Sequence, residues 1–266
     1  MRTNTFDDRT AIFLAAICFQ TYEQYSNPVG AYVIPEFYEE VSTFLARSIT
    51  GQSERFGFII ESTDHIIIAF RGTSSTTDWI SDAIAKQAKY KCVKDAGLSH
   101  VGISNIYYSA RDQILSSLKR LSKEKDLIIT GHSLGGALAA LCAVDVAGNS
   151  EFSNPNLYTY GAPRVGDPIF AKVFSNTVGQ SYRVNNRFDV VPQLPPHIYK
   201  LPRRVKTYRY MHVREDMPLH FHKGSVSGNH VISSYFNELT KRNPIYAEQL
   251  NKRNPGLCPQ ILIYSS

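Results

Sequence analysis

Serine, histidine and aspartate together can turn a hydroxyl into a nucleophile, and this chain holds a serine in a setting that suits that chemistry. Ser133 stands in LIITGHSLGGALAAL, residues 127–141, inside Gly131-His132-Ser133-Leu134-Gly135. An apolar run leads in and an alanine-rich run leads out, so the serine falls at a strand-to-helix switch. A sharp turn there forces a strained backbone, and small residues two positions either side let the flanking segments approach. The hydroxyl then projects above a sheet, beside the free N–H groups of a helix N-terminus. A helix N-cap also explains a serine here, but it leaves the flanking glycines unexplained. A capping box would want Glu or Gln where the chain has Gly136. No Lys-Ser or Lys-Thr pair of a phosphate-binding loop follows these glycines.

A nucleophilic serine needs a base, and the base needs an orienting carboxylate. In sheets of this kind the chain order is serine, acid, histidine. After Ser133 the aspartates are Asp145, Asp167, Asp189 and Asp216. Asp145 lies twelve residues along the same helix, roughly 18 Å from its start at 1.5 Å per residue, and is out of reach. Asp167, in RVGDP, reads equally as a helix cap, and Asp216 as a hairpin end. Asp189 follows the strand-like SYRVNN and precedes VVPQLPP, which places it at the carboxyl end of a strand. The later histidines are His197, His212, His220, His222 and His230. His230, in GNHVISSYF, opens a helix after a flexible turn; His220 and His222, in HFHKG, alternate as in a strand and suit packing or surface roles. Residue types alone leave both choices open.

The elements that must position these groups follow from periodicity. Ile12, Ala15, Ala16, Phe19 and Tyr22 recur at helical spacing, and a second helix is expected in EFYEEVSTFLARSI after Pro35. FGFIIES and HIIIAF read as adjacent strands about a turn at Thr63-Asp64, and QAKYKCV as another strand. Ile103, Tyr107, Ala110, Ile114, Leu118 and Leu121 form the stripe of a long amphipathic helix. DLIIT lacks polar alternation, as a strand covered on both faces does. The helix GGALAALCAVDVA, the strand NLYTYG, a helix near DPIFAKVFS and SYRVNN continue the alternation. Beyond residue 200 come a hairpin, the helix HVISSYFNEL and a tail rich in Asn and Pro. One three-layer α/β domain is the economical reading.

Composition narrows the classes. With 266 residues, 43% hydrophobic and 20% charged, the chain can bury a substantial core. No apolar stretch approaches the ~20 residues that span a bilayer. Asp7 and Asp8 interrupt any signal-peptide pattern, which sets the expectation of a cytoplasmic protein. Cys18, Cys92, Cys142 and Cys258 lack metal-ligand spacing and are expected to be free thiols. The net charge of +6 is spread over several clusters, none organised by a nucleic-acid motif, so no nucleic-acid partner is expected. The basic run KLPRRVKTYRYMHVR reads as the solvated face of a sheet, with attraction to anionic lipid as the alternative.

Five segments in order, AFRGT, GHSLGGALA, YGAPRVGD, NNRFDVVPQLPP and GNHVISSYF, resemble the motifs of the class 3 lipases. These are the α/β-hydrolase family of the filamentous-fungal triacylglycerol lipases. The resemblance spans residues 69 to about 236. It implies a single α/β-hydrolase domain over residues 1–266, with a mostly parallel sheet, helices on both faces and a C-terminal tail at about 241–266. It implies Ser133 as nucleophile, Asp189 as acid, His230 as base, and backbone donors at Thr73 and Leu134 for the oxyanion. His100 matches a family pattern and is read as structural. STTDWISDAIAK falls in the lid position, about 74–86, where Trp79, Ile80, Ala83 and Ile84 would share one face of a short helix able to contact a lipid interface. The activity implied is a serine carboxylester hydrolase on lipid esters, foremost a triacylglycerol lipase, needing no metal or organic cofactor. Phospholipase A1 and short-chain or feruloyl-type esterase are the alternatives within this chemistry. A non-catalytic lipid-binding module is the alternative outside it.

Overall fold

The computed structural model describes residues 6–73, 85–200, 206–213 and 215–260. Helix α1 (Asp8–Ser26) is capped by Asp7, whose carboxylate accepts the Thr10 N–H at 2.9 Å. Strands β1 (Glu39–Arg47), β2 (Ser53–Glu61) and β3 (His65–Phe70) follow as an antiparallel run. The helix expected after Pro35 is therefore a strand. Val41, Phe44 and Leu45 imitate helical spacing, but burial alternates, with Phe44 and Ala46 inward. As the outermost strand, β1 exposes much of its length and so hides its period of two.

The strand expected in QAKYKCV is only β4 (Gln87–Lys89), paired in a separate ladder with β5 (Leu98–His100). Helix α2 (Val101–Leu118) is capped by His100, whose Nδ1 accepts the Ile103 N–H, the structural role expected of it. From α2, the Gln113 side chain donates to Leu45 O at 2.9 Å and accepts from Leu45 N at 3.1 Å, while Ser109 Oγ accepts from Arg47 N. The alternation then runs β6 (Asp126–His132), α3 (Leu134–Asn149), β7 (Asn156–Tyr160), α4 (Pro168–Thr177) and β8 (Ser181–Asn186). Asp167 caps α4, accepting from Phe170 N at 2.8 Å.

A hairpin of β9 (Ile198–Lys200) and β10 (Thr207–Arg209) precedes β11 (Glu215–Leu219), which joins the main sheet parallel to β8. Asp216 thus lies within a strand rather than at a hairpin end, and His220 and His222 follow that strand. The expected helix HVISSYFNEL divides at Val231 into α5 (Val226–His230) and α6 (Ile232–Thr240). His230 closes the first piece instead of opening a helix. The Asn- and Pro-rich tail holds α7 (Pro244–Arg253), with Pro244 in the first turn and Asn243 as cap.

The sheet order is β1-β2-β3-β6-β7-β8-β11, parallel from β3 onward. Successive residues of β3 face opposite cores. Ile66, Ile68 and Phe70 pack toward α2 and α3; Ile67 and Ala69 pack toward α1, α6 and α7. Two covered faces account for the unbroken apolar runs of the central strands. All four cysteines are free. Among the described residues no helix is long and apolar enough to cross a membrane.

Candidate active site

The carboxyl ends of β6, β7 and β8 lie side by side, with His132 paired to Tyr160 and Tyr160 to Val184. Ser133 follows β6 with φ +58° and ψ −130°, a strained conformation for a residue with a side chain. It occupies the N-cap position of α3 yet makes no side-chain capping bond. Its hydroxyl meets His230 Nε2 at 2.8 Å instead. The turn closes tightly because residue 135 is glycine: a β-carbon there would lie 2.2 Å from Phe70 O.

His230 Nδ1 lies 2.7 Å from Asp189 Oδ2. Asp189 Oδ1 accepts the Val191 N–H at 2.9 Å, and Oδ2 also accepts the Tyr235 hydroxyl at 2.7 Å. Tyr235 in turn accepts the Asn186 N–H at 3.0 Å. The Asp189 carboxylate therefore receives donors from its own loop and from α6, in a site where Ser133, Asp189 and His230 are each at most 2% exposed. Such over-determination fixes the imidazole in one tautomer, Nδ1–H toward the carboxylate and Nε2 toward the serine. The rival acids are occupied elsewhere: Asp145 binds Tyr107 and Arg111, and Asp216 accepts from Asn185 Nδ2.

A second hydrogen-bonded chain runs behind the first. His132 Nε2 lies 2.7 Å from the His230 carbonyl, and His132 Nδ1 lies 2.7 Å from the Tyr22 hydroxyl. A carbonyl only accepts, so Nε2 carries the proton and Nδ1 accepts from Tyr22. Burial, then the neighbouring His230, hold His132 far below the ordinary histidine range, which keeps this ring neutral. Gly72 packs against the same hydroxyl: a β-carbon there would lie 2.3 Å from Tyr22 Oη. Helix α1 thus bonds through His132 to the segment carrying His230 and packs against the Gly72–Thr73 turn.

Leu134 is the first residue of α3, and its N–H belongs to the unsatisfied donors at that helix's start. Thr73 follows Gly72, where a β-carbon would lie 3.0 Å from Ser133 Cβ, so this turn borders the serine. Arg71, just before it, is buried between the rings of Tyr25 and Phe56 and pairs with Glu54 at 2.8 Å. Thr73, His132 and His230 line a cleft of about 640 Å³ walled by Phe19, Tyr22 and Val231. Trp79, Ile80, Ala83 and Ile84 lie outside the described residues.

Sequence reasoning missed four groups: Tyr22, counted in an apolar stripe; the bridging part of His132; Tyr235; and Gly161. Gly161 has φ +55°, and a β-carbon there would sit 2.8 Å from Asp189 Oδ2. The spacing of Tyr235, five residues past His230, was a usable signal, but an aromatic in an amphipathic helix reads first as core.

The model of the class 3 lipases matches residues 67–199, half of the sequence. The chain belongs to the class 3 lipase family. A lipase of Rhizomucor miehei is 38% identical over 142 residues, covering 51% of this chain and 39% of its own. Phospholipase A1-II 1 of Oryza sativa subsp. indica is 31% identical over 214 residues, covering 64% of this chain and 54% of its own. This class 3 lipase chain thus spans about half, or less, of the curated relatives it matches. A solved triacylglycerol lipase, described as having a serine protease triad as its catalytic centre, superposes with a TM-score of 0.60 at 28% identity. That match covers 70% of this chain and 74% of the other. The fold is that of an α/β-hydrolase.

Proposed function

We propose that this class 3 lipase chain is a serine carboxylester hydrolase acting on lipid esters, with triacylglycerol as the leading substrate. The observation that carries the reading is the continuous bond chain from Ser133 Oγ through His230 to Asp189, seated on a strained strand-to-helix turn. In this reading His230 Nε2 takes the hydroxyl proton as Ser133 attacks the acyl carbonyl. The Leu134 N–H and Thr73 stabilise the developing oxyanion, where one such donor is worth about 3 kcal/mol. His230 then protonates the departing alcohol, and water, activated by the same imidazole, releases the acid. Asp189 holds the ring and balances its transient charge. The activities named for the fungal relatives support this assignment.

The test is a fluorophosphonate label with peptide mapping, alongside Ser133→Ala. The adduct is expected on Ser133, and the variant should lose at least ~10³-fold in kcat on an ester substrate. An adduct elsewhere, or hydrolysis surviving the substitution, would sink the reading.

A phospholipase A1 is the second reading, favoured by the rice relative, whose match covers more of this chain than the Rhizomucor match does. Parallel assays on triacylglycerol and on phospholipid labelled at the first acyl position separate the two.

A further inference from the structure

Basic clusters recur along this chain, and its longest acid-free stretch adjoins the site. From Val190 to Arg214 there are six basic residues and no acidic one, which equals the net charge of +6. The remaining residues carry equal numbers of acids and bases. This segment begins one residue after Asp189, at the rim of the site.

Its described core is the β9–β10 hairpin, which has two unlike faces. Tyr199 pairs with Tyr208, and both pack inward on Ala85. Lys200 pairs with Thr207 and Ile198 with Arg209, and all four are exposed, Ile198 by 60%. The hairpin is anchored at the same end of the sheet as Ser133 and His230. Arg164, three residues past Gly161, donates to Pro195 O at 2.8 Å and to His197 Nε2 at 3.0 Å. Gln87 Nε2 donates to Arg209 O at 2.8 Å. Among the described ion pairs, none engages Lys200, Lys206 or Arg209. Val190 and Met211, exposed by 41% and 45%, add apolar contact beside these cations.

We propose that the outer face of this hairpin, with Ile198, Lys200, Lys206 and Arg209, is a docking surface for an anionic lipid layer. It holds the mouth of the site against its substrate phase, and in this it rests on the lipid-ester reading above. Lipid suits the surface better than nucleic acid does. Single-stranded nucleic acid is gripped by exposed aromatic rings, whereas Tyr208 and Tyr210 are 5% and 2% exposed. Exposed aliphatic side chains among cations match a charged headgroup layer over an apolar interior.

The experiment measures partition of the full chain onto phosphatidylcholine vesicles with and without phosphatidylserine, in a Ser133→Ala background so that no lipid is consumed. One basic residue near an anionic surface contributes about five-fold in partition, so Lys200→Gln/Lys206→Gln/Arg209→Gln should bind the phosphatidylserine vesicles about 100-fold less. Binding to pure phosphatidylcholine should not change, and high salt should abolish the difference between the vesicles. The charge-retaining set Lys200→Arg/Lys206→Arg/Arg209→Lys should bind as the parent does. With Ser133 intact, the neutralised triple variant should hydrolyse a soluble short-chain ester at the parent rate. Equal partition onto both vesicle types, parental binding by the neutralised variant, or loss of binding in the charge-retaining set would overturn the proposal. So would tighter binding to single-stranded RNA than to the phosphatidylserine vesicles. Absence of ester hydrolysis by the parent chain would strike the hydrolase reading alone, and leave the vesicle result to stand.

Discussion

A single methyl group at residue 161 would occupy space that the Ser133–His230–Asp189 chain needs. Gly161 takes φ +55°, and its missing β-carbon would lie 2.8 Å from Asp189 Oδ2, 3.0 Å from Tyr235 Oη and 3.2 Å from His230 Nδ1. Gly161→Ala should therefore displace the acid and the ring by a few tenths of an ångström while leaving the strand ladder intact. The expected result is a fall in kcat of about ten-fold, short of the roughly 100-fold that a 1 Å misplacement costs, with KM little changed. Steady-state kinetics beside a urea titration check it: a stability loss with kcat preserved would contradict it. Ser133 was legible in the sequence because its neighbours are unusual on both sides. Gly161 was not, because its reason is a contact with Asp189 and His230, which are distant in the chain. Local context only leaned toward Asp189 and His230; separating them from Asp167 and the other histidines needed the family likeness.

At the scale of elements, α1 does more than cover one face of the sheet. Its Tyr22 bonds His132 on one side and packs against Gly72 on the other, bringing together three segments that border the serine. Tyr22→Phe keeps the ring and its packing but removes the bond to His132 Nδ1, leaving that buried nitrogen unpaired at about 1–3 kcal/mol. We expect kcat to fall about ten-fold, through looser placement of Thr73 and His230, with secondary structure by circular dichroism unchanged. Unaltered kcat would mean that the link is passive. The elements themselves were legible where helices cover both faces of the sheet, as in DLIIT and HIIIAF. The reading failed at β1, where an exposed outer position mixes buried and solvated residues, and at HVISSYFNEL, where the extended Val231 interrupts a continuous helical pattern. The hairpin was legible in outline only, because β10 contributes three residues and its partner a further three.

For the whole molecule, acid is the weak direction. Burial pushes the His100 imidazole down to about 4, and burial with the charges of Arg183 and Arg164 pushes His212 down to about 3. Both are neutral in the fold but take up protons in the unfolded chain below about 6.5. The unfolded state then binds more protons, so stability falls as pH drops from about 6.5 toward those folded-state values, and these two groups add nothing further below them. The melting temperature should fall by about 5–10 °C across this window through His100 alone. His100→Asn, which can still cap α2, should flatten the part of the slope above pH ~4. An unchanged slope would remove His100 from the account.

Along the outer rim of β1, Gln113 both donates to and accepts from the Leu45 backbone, and Ser109 takes the Arg47 N–H. A carboxamide presents the same donor and acceptor as a peptide unit, so Gln113 stands in for one residue of a missing neighbour strand. An uncovered rim would be a template on which a second chain could add its own strand and begin a cross-β stack. Gln113→Leu should therefore scatter light and bind thioflavin increasingly with protein concentration, while the parent chain stays dispersed. Identical behaviour of the two would show that the cap is dispensable against such stacking.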